Sequence, residues 1–351
     1  PDGPRVMSTL QRSSIPTSLH KRGRREMVLA ASACLLLALA AYSICAGAVP
    51  ISLGELWQAL STGDTASKAG RIIHFVRLPR TLAALLAGCA LAVSGATLQT
   101  VLSNALASPN IIGVNAGSGL FTIALAAFFP AYVQYTPLAA FLGALFALLI
   151  VYGIACKTGA SRMTIVLSGV AVSSFLGAFT DAILTFIPDT QMNRMAFLVG
   201  SFAGASMEQV KFAGGCILLG VAAAMVLSYD MNVLALGEET ASSLGMRTGL
   251  YRMAFLAIAA LLAGSAVSFS GLIGFVGLIV PHAARVLVGQ DNRYLIPLCA
   301  LLGGAFTLGC DIAARTLFAP FEIPVGIVMS FLGGPFFIYL LLSRKGRRAL
   351  D

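Results

Sequence analysis

The sequence predicts an all-α integral membrane protein that crosses the bilayer about ten times, with both termini in the cytoplasm. Hydrophobic residues fill 58% of the 351 positions and charged residues only 11%, whereas soluble domains carry about 25% charged residues. Apolar runs of about 20 residues, the length of a membrane-spanning helix, alternate with short polar segments. The 36 glycines suit close helix packing in lipid.

Ten apolar runs, separated by charges or turn residues, carry this prediction. The predicted spans are 27–48, 80–101, 111–129, 136–156, 163–187, 210–228, 251–270, 273–289, 296–316 and 324–343. If the chain starts in the cytoplasm, 16 of the 23 Lys and Arg residues fall in cytoplasmic segments. This excess of basic residues on one side supports an even number of spans, with both termini inside.

Polar tails are predicted at both ends of the chain. Four basic residues precede the first apolar run, which resembles a signal peptide but is long enough to span, so it is interpreted as an uncleaved helix. Residues 1–26 are predicted to form a disordered cytoplasmic tail, 27–343 a single transmembrane domain and 344–351 a basic cytoplasmic tail.

Turn residues interrupt the helical pattern at two places, 103–110 and 271–282. Irregular backbone at membrane depth persists only where it is buried in protein or lines a water-filled path. Broken helices in corresponding places of two halves point to a transport pathway, although ordinary kinks are the alternative. The candidate pathway and gate residues, interpreted as hinges more than as substrate ligands, are Gln99, Asn104, Ser108, Asn115, Pro281 and His282.

Several chemistries have no motif in this sequence. It contains no G-x-x-x-x-G-K-[ST] loop, no H-E-x-x-H, no G-x-S-x-G and no carboxylate cluster. We therefore predict a chain that is not an enzyme, does not bind ATP itself, needs no cofactor and holds no resident metal. The net charge of +9 comes from basic residues between apolar runs, which indicates membrane topology and not nucleic-acid binding.

The residues alone leave two other functions open. A secondary transporter driven by an ion gradient is disfavoured by the scarcity of carboxylates within the spans, because such transporters usually relay ions through buried acidic groups. A membrane-embedded enzyme or assembly factor lacks a catalytic constellation in the sequence.

Five motifs resemble one family. They are RLPRTL at 77–82, GATLQ at 95–99, NALASPNIIGV at 104–114, LALGEETA at 234–241 and GFVGLIVPHAAR at 274–285. Over residues 27–343 the chain resembles the FecCD/BtuC-type permeases of ABC importers for iron-siderophores, haem and cobalamin. It departs from the usual pattern at Asn104-Ala105, where the family has Asn-Pro.

This resemblance implies a type II ABC importer permease with ten helices in inverted-repeat-like halves. It implies a second permease copy or a sister permease as partner, in the lipid of a bacterial cytoplasmic (inner) membrane, and no nucleic acid. Two ABC ATPase subunits would dock at the cytoplasmic face, and a periplasmic or lipid-anchored binding protein would deliver the substrate. A ferric siderophore is the expected cargo, with haem or cobalamin as alternatives.

A cytoplasmic segment at about 229–250 is predicted to couple the permease to its ATPase through a short helix. Negative charge in the first turn of a helix suits the helix dipole, and a glycine can terminate the helix. The residues of this predicted coupling helix are Gly237, Glu238, Glu239, Thr240, Ala241, Leu244 and Gly245.

Three arginines, Arg77, Arg80 and Arg315, lie at the predicted outer ends of the second and ninth spans, against the positive-inside tendency. The resemblance implies that they face acidic residues of the binding protein, a task that suits the planar guanidinium. Snorkelling anchors are the alternative. Asp311, four residues before Arg315, is predicted to pair with it on one helix face.

Overall fold

The computed structural model describes residues 18–47, 52–63, 65, 67–109, 113–157, 162–187, 197–317 and 321–342. Within these ranges the chain is helical and contains no strand. The helices are α1 Ser18–Cys45, α2 Leu53–Thr62, α3 Lys68–Ile72, α4 Leu78–Val101, α5 Val114–Phe128, α6 Thr136–Lys157, α7 Arg162–Phe186, α8 Met207–Val226, α9 Ser228–Leu234, α10 Glu238–Ser243, α11 Thr248–Ser270, α12 Val276–Val288, α13 Asn292–Thr316 and α14 Val325–Leu342. A π-helical turn, Ile73–Arg77, joins α3 to α4, and a 3₁₀ segment, Pro130–Tyr135, leads into α6.

Ten of these helices are apolar, and each overlaps one predicted span. In the described part of the chain, the helical stretches within α1, α3–α4, α7, α8, α11 and α13 are long and apolar enough to cross a membrane. The stretches within α5, α6, α12 and α14 are apolar but shorter. The all-α membrane fold predicted from the apolar runs is confirmed.

Two predicted boundaries were wrong. The tail predicted at 1–26 is helical from Ser18, since this stretch contains good helix formers and Arg22 pairs with Glu26 one turn later at 3.0 Å. The outer loop predicted before the second span is helical from Lys68, and α3, the π turn and α4 run on without a break. Residues 1–17 and the tail at 344–351 lie outside the described residues.

At the centre of the structure α4 packs against both α11 and α13, with small side chains at the contacts. A Cβ added to Gly88 of α4 would lie 2.2 Å from the carbonyl oxygen of Gly303 on α13, so the two backbones touch at this crossing. Small residues permit such close contact in lipid. The fully buried alanines of α4 are Ala83, Ala84, Ala87, Ala90, Ala92 and Ala96.

Two ends of the bundle are defined by their contacts. At the coupling end, the start of α1 and the end of α4 meet the start of α13, beside the connection 227–247. At the arginine end, the start of α4 and the end of α13 meet the end of α1. The pathway candidates and both sets of candidate docking residues can therefore be located relative to these ends.

Candidate functional site

Gln99 links the two irregular segments that the sequence predicted. It lies on the last turn of α4, directly before the first segment, and its side chain is buried. Its Nε2 donates to the carbonyl oxygen of Gly277 at 3.2 Å, and Nη1 of Arg285 donates to its Oε1. One buried amide thus holds α12, which begins at Val276 within the second predicted segment, against the start of the first.

The backbones of α4 and α12 touch beside this amide. A Cβ added to Gly95 would lie 2.0 Å from the carbonyl oxygen of Gly277. On the other side, a Cβ added to Gly277 would lie 3.2 Å from the Pro109 ring, in the first irregular segment. The two segments therefore form one contiguous region.

The backbone of the first segment is held by Asn104. Its N–H donates to the carbonyl oxygen of Gln99 at 3.0 Å, and its side-chain oxygen accepts from the N–H of Leu106 at 2.9 Å. Its own carbonyl accepts from Ala107 at 3.0 Å. This is the local turn that Asn side chains favour, and it satisfies backbone groups that have no helical partner.

Backbone groups at the start of the second segment form hydrogen bonds with a separate stretch of chain, 197–201. Leu272 donates its N–H to the carbonyl oxygen of Phe197 at 2.7 Å, and Ser201 donates to that of Ser270 at 2.9 Å. Such partners are what irregular backbone needs at membrane depth. A cavity adjoins this region, lined by Leu198, Val199, Leu272, Gly274, Gly326, Ile327, Ser330 and Phe331.

The other pathway candidates occupy different positions. Ser108 and Asn115 are buried, and Pro281 is buried within α12. The His282 ring packs edge-on against that of Phe336 on α14, with centroids 5.9 Å apart. The α12 side chain that reaches Gln99 is therefore Arg285 and not His282. Among the described residues, no group of three or more His, Cys, Asp or Glu side chains could hold a metal ion.

A short helix, α10, occupies the predicted coupling segment. It begins at Glu238, after Gly237 with φ 103°, and ends at Ser243. Gly245, with φ 84°, donates to the carbonyl oxygen of Ser242, and Met246 donates to that of Ala241. This pair of bonds is the Schellman motif, in which a left-handed glycine ends a helix.

The surface around α10 is acidic and apolar. Glu238 is exposed and accepts from Nη2 of Arg252 on α11 at 3.1 Å, which ties α10 to the start of that helix. Leu236, Leu244 and Leu250 are between 61% and 65% exposed. Three exposed leucines around one short helix form a surface suited to a protein partner.

Arg80 belongs to a buried ion cluster at the arginine end. Its Nε donates to both carboxylate oxygens of Asp311, at 3.0 and 3.2 Å, and its Nη1 donates to Glu322 at 2.6 Å. Asp311 is fully buried, whereas Glu322 is exposed. Arg315 Nε lies 3.5 Å from Asp311, so the predicted pairing of these two residues is confirmed.

Arg77 and Arg315 cap the end of α1. Arg77 Nη1 donates to the carbonyl oxygens of Ile44 and Cys45 at 2.9 and 2.7 Å. Arg315 donates to those of Ala46 and Ser43 at 3.0 and 2.7 Å. The last carbonyls of a helix lack intrahelical partners and carry partial negative charge, so two guanidinium groups stabilise this terminus.

The three arginines bond to groups of this chain. All three are at least 93% buried in this chain, because helix-end carbonyls and Asp311 at the arginine end draw the cations inward. Docking of a binding protein by Arg77, Arg80 and Arg315 stays a prediction. It would require Arg80 to exchange Glu322, its exposed partner, for a carboxylate of the incoming protein.

The chain matches the family model described as the FecCD transport family over residues 35–343. It belongs to the FecCD transport family. It is 39% identical over 301 residues to the Fe(3+)-citrate import system permease protein YfmD of Bacillus subtilis, covering 86% of this chain and 89% of YfmD. It is 40% identical over 309 residues to the cobalamin import system permease protein BtuC of Halobacterium salinarum, covering 86% of this chain and 83% of BtuC.

A solved structure described as an inward-facing conformation of a metal-chelate type ABC transporter is similar to this FecCD-family chain. The TM-score is 0.78 at 30% sequence identity, over 90% of this chain and 99% of that one. The FecCD match spans both irregular segments, α10 and all three buried arginines. These features therefore belong to the transport domain of a multi-pass permease.

Sequence reasoning missed two groups of residues in this FecCD-family chain. Arg285 stands in the GFVGLIVPHAAR motif, but nothing in the sequence assigned it to Gln99, 186 residues earlier. Asn232, Asp291 and Asn292 form a hydrogen-bonded cluster at the coupling end. The only available signal for that cluster was the Asp-Asn pair before the apolar run of α13, a pattern typical of a helix start.

Proposed function

We propose that this chain is the membrane-spanning permease subunit of an ATP-driven importer, and that it carries a metal chelate, with a ferric siderophore as the first candidate. The observation that carries the proposal is the paired irregular region held by Gln99 in a member of the FecCD family. Ferric citrate and cobalamin, named for two relatives, indicate a cargo whose metal is already wrapped by its ligand. Haem is a further alternative.

The partners of the proposed importer follow from the surfaces at the two ends. ATPase subunits would dock on α10 at the coupling end, which would then face the cytoplasm of a bacterial inner membrane. A binding protein would deliver the chelate at the arginine end. The pathway would run beside Gln99 and α12, between this chain and a second permease copy or a sister permease. ATP binding would shift the balance between inward- and outward-open states.

Uptake assays test this function directly. Vesicles containing the chain with the ABC ATPase that co-purifies with it should take up one of ferric citrate, a ferric hydroxamate, haem or cobalamin, given the matching binding protein. Uptake should require ATP on the ATPase side and persist with an uncoupler. Uptake that survives without ATP but collapses with the uncoupler would contradict the proposal and favour an ion-gradient transporter.

The coupling role of α10 is tested by reversing its charges. Replacing Glu238 and Glu239 with Lys is expected to weaken ATPase co-purification about tenfold, or about 1.4 kcal/mol, because two charges change sign beside the exposed leucines. Glu238→Gln removes the ion pair with Arg252 without reversing the charge and serves as the matched control. Binding and uptake that stay normal in the double Lys variant, at equal expression, would exclude α10 as the docking helix.

A further inference from the structure

Three polar side chains at the coupling end form a cluster that the proposed function leaves without a role. Asn232 of α9 donates from Nδ2 to Asp291 Oδ1 at 2.8 Å. Its Oδ1 accepts from the backbone N–H and from Nδ2 of Asn292, at 2.8 and 2.9 Å. We call Asn232, Asp291 and Asn292 the asparagine hub.

The hub caps the first turn of α13. Asp291 is the N-cap residue and accepts the N–H of Arg293, while Asn232 accepts the N–H of Asn292, another donor without a helical partner. A side chain from α9 therefore completes the cap of a helix 60 residues later. Asn292 is 98% buried, so breaking this contact would leave buried polar groups without partners.

Charged neighbours hold the Asp291 carboxylate in place. Arg293 Nη2 lies 2.8 Å and Arg25 Nη1 3.7 Å from its Oδ2. The hydrogen bonds from Arg293, followed by that from Asn232, lower the pKa of Asp291 to about 2 against the opposing effect of partial burial. Because its pKa is lowered, the Asp291 carboxylate loses its negative charge only as the pH falls below the ordinary range near 4 toward 2. Asp291 is therefore ionised at every physiological pH.

The hub connects the coupling segment, to which Asn232 belongs, with α12, the helix that bonds to Gln99. On one side, α9 leads within three residues to α10. On the other, Asp291 ends the short joint that begins at Gly289, with φ 84°, and connects α12 to α13. Arg285, one turn before that joint, holds Gln99, and Thr100 Oγ1 lies 3.5 Å from Asn292 Oδ1.

We propose that the asparagine hub transmits the position of the coupling segment to α12 and Gln99, with Asn232 as the positioning residue. This inference rests on the proposed function. Hydrogen bonds fix direction as well as distance, so a displacement of α9 moves the end of the α12–α13 joint with it. Gly289 ends α12, with its N–H donating to the carbonyl oxygen of Arg285, and its positive φ gives a point after that bond where the chain can turn between α12 and α13.

Asn232→Asp separates this role from simple packing. The substituted carboxylate can still accept from Asn292 but faces the Asp291 carboxylate without a donor. We expect the amount of chelate moved per ATP hydrolysed to fall roughly 5- to 20-fold, which lies within the range of coupling changes seen along such networks. ATPase binding should stay unchanged, because α10 and its exposed leucines are not altered.

Adding Asp291→Asn to Asn232→Asp is expected to restore the ratio to within about threefold of wild type, because an amide donor again faces the carboxylate and Asn is also a good N-cap. Glu208→Gln, at an exposed acid in the first turn of α8 and outside the coupling segment, is the control and should leave the ratio unchanged. A purely structural role would lower uptake and ATP hydrolysis together and leave their ratio intact. That result, or a double variant no better than the single one, would overturn the inference.

The proposed function and this inference can fail separately. If the wild-type chain shows no ATP-dependent uptake of any of the four chelates, the proposed function is contradicted. If the wild-type chain transports and Asn232→Asp leaves the amount of chelate moved per ATP hydrolysed unchanged, only the inference about the asparagine hub fails.

Discussion

Replacing Asp311 with Ala is expected to destabilise the protein by about 3–5 kcal/mol, the usual cost of removing one partner of a buried ion pair. Asp311 is fully buried and is the carboxylate between Arg80 and Arg315, both nearly buried. Without it, two guanidinium groups would face each other, and among the described residues the acid left beside them is the exposed Glu322, which binds Arg80. Stability in detergent, followed by thermal unfolding at equal protein concentration, measures the effect.

Two further variants separate charge burial from other causes. Glu322→Gln should cost less than Asp311→Ala, because Glu322 is exposed and Arg80 keeps Asp311 as its buried partner. Replacing Arg80 with Met and Asp311 with Leu together should cost less than Asp311→Ala alone, since no uncompensated charge is created within that pair. An Asp311→Ala protein that unfolds at the wild-type temperature would show that the cluster does not hold the arginine end together.

The ten apolar helices could be predicted because span length and hydropathy are local properties of the sequence. The same is true of α10, where Glu238 begins and Gly245 ends a short helix through backbone rules that act within one turn. The two irregular segments were also visible as Gly, Pro and Asn inside apolar runs. Each of these features depends on neighbours in sequence.

The placement of the arginines depends instead on distant parts of the chain. The sequence located Arg77 and Arg315 only at the outer ends of two predicted spans, and the resemblance implied docking to a binding protein, with snorkelling anchors as the alternative. Their actual partners are the carbonyls that end α1, at least 30 residues before Arg77 and 269 or more before Arg315. No sequence pattern indicates that a helix end lacks partners for its carbonyls at that place. The contact between Asn232 and Asn292 was hidden for the same reason.

Gly95→Ala is expected to reduce chelate uptake about tenfold or more while leaving ATPase binding at α10 nearly unchanged. The added Cβ would lie 2.0 Å from the carbonyl oxygen of Gly277, and carbon and oxygen need well over 3 Å, so α4 and α12 must separate. Forcing a close-packed contact apart costs typically about 1–3 kcal/mol. Gln99 stands one turn further on the same face of α4, and its bonds to Gly277 and Arg285 would lengthen with the helices.

A matched glycine shows whether the effect comes from this contact or from the extra methyl group. Gly309 lies on α13, and a Cβ added there meets no atom within 4 Å, so Gly309→Ala should keep wild-type uptake and stability. Uptake per folded molecule, measured with the same ATPase and chelate, is the decisive quantity because a loss of folded protein alone would not change it. Normal uptake by Gly95→Ala would mean that α4 and α12 separate without consequence, and that the Gln99 region is packing and not part of the transport pathway.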